Sequence, residues 1–539
     1  MTDYVITSNV IVTSADAEDL AQGDSLYLAQ GIIISAATFG IAASNTDGEG
    51  VSLSILGAVR GGDTAIELQA GGANIAIGAG GSVTGFSAAI TVGFDSVVSN
   101  AGTVIGQSGD GIFATDSGQN IANSGYMFGT DAAVYLQEFS GDFPDYITNS
   151  GTFAGTRGIY ESAAGNVYFT NSGTVSAYYG VVLDAGAGNV DTIDNTGVIA
   201  APGGAILQTG AGTVNVTNSG HISGAISFDA GNDTYDGTLG SILGAVAGNA
   251  GNDTLIGGEG RDVLNGGSAN DILWGNGGAD KLIAGPGNDT IDGGSGNDQI
   301  VMNSFLTAKD QIDGGTGNDT VFLDGDYSAG IVFGATTMVN VETISLAAGF
   351  GYRLTTDDAT VAAGKTLTVD ASALSGGATL FFDGSAETDG HFDIVGGASA
   401  NTMTGGDLSD TLTGGAGVDT FKYLDPVEST STQFDLVVGF NANADRFDFD
   451  VAVGAVDATV ASGRLSMGAF DADLAGAVGA GQLAAGHAVL FTPTAGSLHG
   501  DTFLIVDANG VAGYQAGQDY VIELVNATHL ASLSTADFI

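Results

Sequence analysis

The chain has 539 residues, of which 90 are Gly and 5 are Pro, and its 61 acidic and 10 basic residues give a formal net charge of −51. This charge argues against binding to nucleic acid, anionic membranes or acidic polysaccharides, all of which it would repel. The sequence contains no Cys, which excludes disulfides and thiolate metal sites, whereas its many carboxylates suit a hard cation such as Ca²⁺. Abundant Gly with a hydrophobic fraction of 44% predicts a folded chain of short strands and tight turns.

The start of the chain shows no export or membrane signal. Met1 to Val10 carry no Lys or Arg, so we expect no N-terminal secretory signal. The stretch Tyr27 to Ser44 is apolar over about the length of a membrane span, but Gly and Gln interrupt it and acidic residues precede it. We therefore predict two β-strands with a turn here and no membrane insertion.

A degenerate repeat, Asn-x-Gly followed by an apolar pair, occupies the N-terminal part. Its Gly residues are about 23 residues apart, which is the length of one coil with three short strands and three turns. Stacked coils place Asn on Asn and apolar residues on apolar residues, so residues 1–227 are predicted to form a parallel β-helix. The repeats begin at Asn100, Asn123, Asn149, Asn171, Asn195 and Asn218.

Residues 228–323 change to a period of nine. Six consecutive aspartates lie nine residues apart, and each is followed two residues later by Leu or Ile. A glycine-rich half-repeat makes a tight turn, and the residues after the Asp make a short strand with the large apolar side chain inward. The predicted metal-binding residues of this segment are Asp233, Asp253, Asp262, Asp271, Asp280, Asp289, Asp298 and Asp319.

The rest of the chain holds a second, shorter repeat block between two β-rich segments. Residues 324–395 are predicted to be a β-rich connection, and residues 396–423 a second nonapeptide block with candidate metal ligands Asp410 and Asp419. In this block Asn401 stands where Asp is expected. Residues 424–539 lack repeats and are predicted to form a β-rich C-terminal domain, with strands within 434–449 and 502–524.

The repeat spacing predicts a calcium site between adjacent turns. Aspartates at the rim of successive turns, together with turn carbonyls, supply about six oxygens at about 2.3–2.6 Å, which suits Ca²⁺. Mg²⁺ fits poorly because it keeps its waters and requires octahedral geometry. A glycine-rich stack with solvated, metal-free Asp is the alternative, and six aspartates in register argue against it.

The repeats Gly257 to Asn265, Gly266 to Trp274 and Gly293 to Val301 resemble those of the RTX family of calcium-binding proteins. The resemblance covers about a quarter of the chain. It implies right-handed parallel β-rolls with Ca²⁺ in the turns, and type I secretion through an uncleaved C-terminal signal. Departures at Asn401, Ala284 and Pro286 imply weaker or empty sites there.

Enzyme motifs are missing from the sequence. The five His residues form no His-Glu-x-x-His motif, and no Gly-x-Ser-x-Gly is present. A polysaccharide lyase needs a cation for the uronate carboxylate, yet residues 1–227 carry only Arg60 and Arg157 as basic residues. A glycosidase that acts on a neutral sugar through paired carboxylates remains an alternative. The aromatic cluster at Tyr168, Phe169, Tyr178 and Tyr179 is predicted to pack within the fold and not to bind sugar.

These patterns favour a non-enzymatic, secreted, calcium-binding protein of the cell surface or extracellular matrix. The β-prone run Tyr4 to Thr13 and the strand-rich end from Asp501 to Ile539 predict Ca²⁺-dependent self-association into a surface layer or filament. The alternatives are an adhesin that binds a surface glycan and, less favoured, a β-helical enzyme acting on polysaccharide. Exposed aromatic residues in a concave strip would favour the adhesin.

Overall fold

The computed structural model describes residues 2–11, 18–43, 50–69, 71–137, 143–162 and 165–539. Val12 and Thr13, the end of the predicted N-terminal β-prone run, lie outside these residues, as does Ser44. The chain divides into two compact units, Met1–Pro286 and Gly287–Ile539. Each unit is built mainly of short parallel strands wound into a solenoid.

The first unit has three faces, each a stack of parallel strands. Face 1 consists of β1 (Asp3–Ile6), β4 (Ser25–Leu28), β7 (Ser52–Ile55), β10 (Asn74–Ile77), β13 (Val97–Asn100), β16 (Asn120–Asn123), β18 (Asp145–Asn149), β20 (Val167–Asn171), β22 (Val190–Asn195), β25 (Thr213–Asn218), β28 (Thr234–Asp236), β31 (Thr254–Ile256) and β33 (Ile272–Trp274). Face 2 consists of β2 (Val10–Ile11), β5 (Ile33–Ala36), β8 (Ala58–Gly61), β11 (Ser82–Gly85), β14 (Thr103–Gly106), β23 (Val198–Ala200), β26 (His221–Ser223) and β29 (Ser241–Leu243). Face 3 consists of β3 (Glu18–Asp19), β6 (Ile41–Ala43), β9 (Thr64–Leu68), β12 (Ala88–Val92), β15 (Asp110–Ala114), β24 (Gly204–Thr209), β27 (Ile226–Ser227), β30 (Ala245–Ala250), β32 (Val263–Ser268) and β34 (Lys281–Ile283).

Three long strands run across faces 2 and 3. They are β17 (Tyr126–Leu136), β19 (Thr152–Glu161) and β21 (Thr174–Asp184). The pairing of β17 with β19 shifts register between Gly129 and Ala132, so the chain turns the corner through an irregularity within a continuous strand. The apolar–polar alternation of each strand places one set of side chains inside the coil.

The interior of the first unit is filled by apolar ladders. On face 1, residues in exact strand register from coil to coil are all buried, so each covers the next and water is excluded along the stack. The ladder runs through Leu26, Leu53, Ile75, Val98, Ile121, Ile147, Phe169, Ile193, Val216, Tyr235, Leu255 and Leu273.

Buried asparagines form a second ladder beside the apolar one. The Asn100 Nδ2 donates to Asn123 Oδ1 at 2.8 Å, Asn123 to Asn149 at 2.8 Å, and Asn149 to Asn171 at 2.8 Å. The series continues through Asn195 to Asn218. Each amide therefore satisfies its neighbour, which is how a polar side chain is kept inside the coil at low cost.

The coil shortens where the nonapeptides begin. Face 2 ends at β29, and from there β30, β32 and β34 alternate with β31 and β33 of face 1. Each turn of the solenoid then spans 18 residues, as in the pairing of Thr254 with Ile272. Each nonapeptide forms one turn and one short strand, and two nonapeptides complete one coil. The three-sided helix therefore becomes a two-sided roll.

The second unit is also a parallel solenoid. One stack contains β35 (Thr290–Asp292), β37 (Gln311–Asp313) and β40 (Met338–Val339), and another contains β36 (Gln299–Asn303), β38 (Thr320–Leu323), β41 (Thr343–Leu346), β43 (Thr366–Asp370), β45 (His391–Val395), β47 (Thr411–Thr413) and β49 (Asp435–Val438). A third stack contains β39 (Tyr327–Val332), β42 (Tyr352–Thr355), β44 (Leu380–Asp383), β46 (Thr402–Thr404), β48 (Thr420–Tyr423) and β50 (Arg446–Phe449).

The C-terminal part of this unit departs from parallel stacking. The strand β53 (Tyr520–Val525) pairs in parallel with β49, whereas β52 (Phe503–Val506) pairs antiparallel with β53 and with β51 (Ala488–Phe491). A short helix, α1 (Phe470–Ala477), packs Phe470 and Leu474 into the same apolar cluster as Phe503. Short 3₁₀ turns lie at Asp358–Thr360, Pro426–Glu428, Met467–Ala469, Leu530–Ser532 and Thr535–Asp537.

The fold class predicted from the sequence, all-β with a parallel β-helix and β-rolls, is confirmed. The apolar stretch from Tyr27, predicted to form two strands with a turn, instead holds the end of β4 and all of β5 and β6, because each coil turns two corners within this length. Among the described residues, no helix has the length and apolar character needed to cross a membrane.

Candidate calcium sites

The predicted aspartates stack on one another at the starts of the strands. The backbone N–H of Asp233 donates to Asp253 Oδ1 at 2.8 Å, and that of Asp253 donates to Asp271 Oδ1 at 2.9 Å. On face 3 the N–H of Asp262 donates to Asp280 Oδ1 at 2.7 Å. Each of these side chains is at least 96% buried. Residues nine apart therefore form two ladders, and residues 18 apart are neighbours within each ladder.

Hydrogen bonds of the same kind form four series among the described residues of the second unit. The N–H of Asp289 donates to Asp310 at 2.8 Å, and that of Asp298 donates to Asp319 at 2.8 Å. The ladder of Asp298 and Asp319 ends on Glu342. In the second repeat block, Asp410 is followed by Asp435, and the series from Asn401 runs through Asp419 to Asp445.

Glycine at the first repeat position leaves room for an ion. A methyl group built on Gly248 would lie 2.2 Å from Asp253 Oδ2 and 2.5 Å from the carbonyl oxygen of Gly266 in the following turn. The same construction at Gly257 meets Asp262 Oδ2 and the Gly275 carbonyl. A carboxylate oxygen and a main-chain carbonyl thus converge beside each of these glycines, and any larger residue would fill the space.

Several of these carboxylate oxygens lack a hydrogen-bond donor. The Oδ2 atoms of Asp233, Asp253 and Asp319 are buried and accept no hydrogen bond, although Oδ1 of each binds a backbone N–H. A buried, uncompensated oxygen of an ionised carboxylate is costly, and a cation removes that cost. The donor set of hard oxygens fits Ca²⁺.

Burial also raises the affinity of these carboxylates for protons when no cation is bound. Desolvation raises the pKa of Asp233 to about 7 and that of Asp253 to about 6, and the Asp253 charge contributes to the shift at Asp233. In the second unit, burial raises the pKa of Asp319 and Asp410 to about 6. The common cause is that burial removes the charged carboxylate from water. A bound cation would favour the charged form and lower these pKa values again.

Carbonyl oxygens are needed to complete any site. Within the described parts of the chain, no three or more acidic or His side chains converge as a metal cluster. The prediction from the repeat spacing, that one or two carboxylates from successive turns bind the ion together with turn carbonyls, stays a prediction.

Asn401 shows how a turn can do without an ion. Its Nδ2 donates to the Gly414 carbonyl at 3.0 Å and to Asp419 Oδ1 at 2.9 Å. These are the following-turn carbonyl and the ladder carboxylate that would otherwise face the cation. The amide N–H groups supply internally the positive character that Ca²⁺ would provide, and a weak or empty site stays the prediction for this turn.

Four acidic ladder residues were missed by the sequence analysis: Asp310, Glu342, Asp435 and Asp445. They follow their neighbours by 21, 23, 25 and 26 residues, so no nine-residue count reaches them. Their common signal is an acid followed two residues later by a buried apolar residue, namely Ile312, Ile344, Val437 and Phe447. Asp191, with an unpartnered buried Oδ2, has the same pattern within the β-helix.

The fold and the ladders together define a parallel β-solenoid whose glycine turns present buried oxygens to a hard cation. The model of the RTX calcium-binding nonapeptide repeat matches four copies in this chain, at residues 247–282, 274–301, 307–327 and 393–421. The chain therefore carries RTX repeats, and these repeats are calcium-binding motifs. Asp233, Glu342, Asp435 and Asp445 lie outside the matched residues. A search of curated proteins found no match.

Proposed function

We propose that this chain is a secreted structural protein of the cell surface or extracellular matrix, exported by a type I system and assembled in a Ca²⁺-dependent way. The observation that carries the proposal is the set of buried acidic ladders with unpartnered oxygens at Asp233, Asp253 and Asp319. Ca²⁺ held between turns stiffens the solenoid, and the ten predicted aspartates supply its carboxylate ligands. Of the four additional ladder acids, Asp310 adds to the sites within the repeats, and Glu342, Asp435 and Asp445 extend them beyond the repeats.

Charge explains why assembly would follow calcium binding. A chain with a net charge of −51 repels its copies, and this repulsion falls as cations neutralise the ladders. Millimolar Ca²⁺ outside the cell favours the loaded form, whereas the low Ca²⁺ of a cytosol leaves the chain unfolded and ready for export.

An exposed apolar patch on the first coils supplies a surface for contact between copies. Tyr4, Val5 and Tyr27 are exposed and line one groove on face 1, and Ile11 is exposed on β2 of face 2. Apolar side chains exposed together on such a surface favour contact with another chain.

Light scattering across a Ca²⁺ titration, followed by electron microscopy, tests the proposal. The scattering mass should rise above one chain as Ca²⁺ saturates, and ordered sheets or filaments should appear. Val5→Asp, which places a charge in the apolar patch, should block assembly but leave Ca²⁺ binding intact. Val332→Asp is the matched control, because Val332 is 64% exposed and Val5 61% exposed. A mass that stays at one chain with the repeats folded would overturn self-assembly.

A second candidate function is adhesion to a surface glycan. It is favoured by exposed aromatic side chains on face 1, among them Tyr146 and Tyr168. Of the aromatic cluster predicted to be packing, Phe169 is buried whereas Tyr168 and Tyr178 are exposed. An enzyme acting on polysaccharide is the less favoured third candidate.

A further inference from the structure

Four aromatic side chains form an exposed strip on the outer surface of the β-helix. Phe94, Phe143, Tyr146 and Tyr168, here called the aromatic strip, are between 36% and 67% exposed. Isolated exposed apolar residues are ordinary, but a contiguous group of large rings is uncommon on a soluble surface and marks a binding site.

The two tyrosines of the strip are held parallel by the solenoid. Tyr146 on β18 and Tyr168 on β20 are in direct register, and their rings stack with centroids 5.2 Å apart and planes 16° apart. Strand spacing fixes this separation, so the rings lose little conformational freedom when a ligand binds.

A cleft lies beside the tyrosines and contains polar groups. It has a volume of 490 Å³ and is lined by Phe94, Phe143, Tyr146, Asn120 and Asp95, among others. The Phe94 ring is fixed against the backbone of Gly71, where an added methyl group would lie 2.2 Å from the ring. A largely apolar cleft of this size with a few polar groups is typical of a small-molecule or oligosaccharide site.

The charge of the region restricts the ligand. Residues 1–227 contain only two basic residues, Arg60 on β8 and Arg157 on β19, and both lie on strands of other faces. The cleft itself contributes a carboxylate, Asp95. An anionic glycan, a nucleic acid or another copy of this acidic chain would meet like charge, whereas a neutral partner would not.

We propose that the aromatic strip binds a neutral, pyranose-based glycan. The C–H face of a pyranose packs on the face of the Tyr146 ring turned away from Tyr168, while its hydroxyls donate to Asp95 and exchange hydrogen bonds with the Asn120 amide. The proposal rests on the adhesive candidate function, for which it names the ligand class. It is independent of self-assembly through the first coils.

Affinity electrophoresis of the calcium-loaded full chain tests this assignment. Native gels would contain a neutral polysaccharide (β-glucan, dextran or galactomannan) or an acidic one (alginate or polygalacturonate). At least one neutral polymer should retard the chain, and neither acidic polymer should. Tyr146→Ala should weaken retardation by about tenfold, on the scale of a central aromatic contact, and Tyr168→Ala, which removes the ring that supports Tyr146, should weaken it less. Tyr146→Phe, which keeps the ring, should retain most of it.

Tyr126→Ala is the matched control. Tyr126 is also an exposed tyrosine of the β-helix, but it lies on β17 outside the strip, so its removal should leave retardation unchanged. Thermal melting in Ca²⁺ confirms that each variant is folded. Retardation by no neutral polymer, or equal losses for Tyr126→Ala and Tyr146→Ala, would overturn the proposal. Strip variants that lose light-scattering mass but keep glycan retardation unchanged would reassign the strip to contacts between copies.

Discussion

At the scale of single residues, position within a ladder decides how much a carboxylate matters for Ca²⁺. Asp253 lies between Asp233 and Asp271, whereas Asp233 has an acidic neighbour on one side only and accepts from the Val214 N–H on the other. The nine-residue count suggested that Asp233 is out of register with its neighbours, but the structure places it within the ladder, at its end.

We therefore expect Asp253→Ala to lower Ca²⁺ affinity by about tenfold, because the change removes a ligand from two successive turns. Asp233→Ala affects one turn and should cost less. Calorimetric titration of both variants measures the ranking. Equal losses would show that the inter-turn oxygens do not act as shared ligands.

The contacts of the Asn401 amide predict that replacing it by Asp adds a Ca²⁺ site. In Asn401→Asp, the N–H groups that satisfy the Gly414 carbonyl and Asp419 are replaced by a carboxylate oxygen. The variant should bind additional Ca²⁺ and should be less stable than the parent in EDTA, since a new buried charge then lacks a counterion. Stoichiometry from calorimetry, with thermal melting in EDTA and in Ca²⁺, measures both effects. An unchanged stoichiometry would contradict the interpretation of this turn.

At the scale of elements, the asparagine ladder stabilises the corner between faces 1 and 2. Asn149 is fully buried, accepts from Asn123 and donates to Asn171 and to the Thr174 carbonyl. Asn149→Ala should lower the free energy of unfolding by about 1–3 kcal/mol, because buried polar groups on both sides lose a partner.

Asn74→Ala is the control for this prediction. Asn74 is exposed on β10, so its replacement should change stability by no more than about 0.5 kcal/mol. Chemical denaturation of both variants in saturating Ca²⁺ gives the comparison. Similar effects at the two positions would mean that the ladder bonds contribute nothing beyond those of a surface amide.

The sequence predicted elements well where spacing was regular and poorly where loops varied. Six aspartates nine apart, such as Asp253 and Asp262, could be assigned to turns because each nonapeptide has one length. Asp435 could not be assigned to a turn in this way, because 25 residues separate it from Asp410 and a 3₁₀ turn lies between them. The sequence also could not predict that two strands merge into one, as in β17. Merging depends on the backbone geometry at the corner of the coil, and the apolar pattern does not encode this geometry.

At the scale of the whole molecule, folding of the repeats should depend on Ca²⁺. Without it, burial leaves carboxylates such as Asp253 uncompensated, and metal binding then contributes directly to the free energy of folding. Trp274, the only tryptophan, lies on β33 and pairs with Ile256, so it reports on the roll. Its emission should differ between EDTA and about 10 mM Ca²⁺, a concentration on the scale of extracellular sites. Identical spectra would show that the roll folds without metal.

The side-chain hydrogen bonds of the asparagine and acidic ladders point the same way along the chain. In the acidic ladders, the N–H of the earlier turn donates to the carboxylate of the later one, as from Asp253 to Asp271, and the asparagines follow the same order, as from Asn149 to Asn171. Along these ladders each turn presents an oxygen toward the N-terminus and an N–H toward the C-terminus, whereas backbone hydrogen bonds between turns run both ways, as from Ser52 to Asp24 and from Gly72 to Phe94. Fragments cut between turns would keep the ladders continuous only where a donor end meets an acceptor end, which favours fibres with a single polarity.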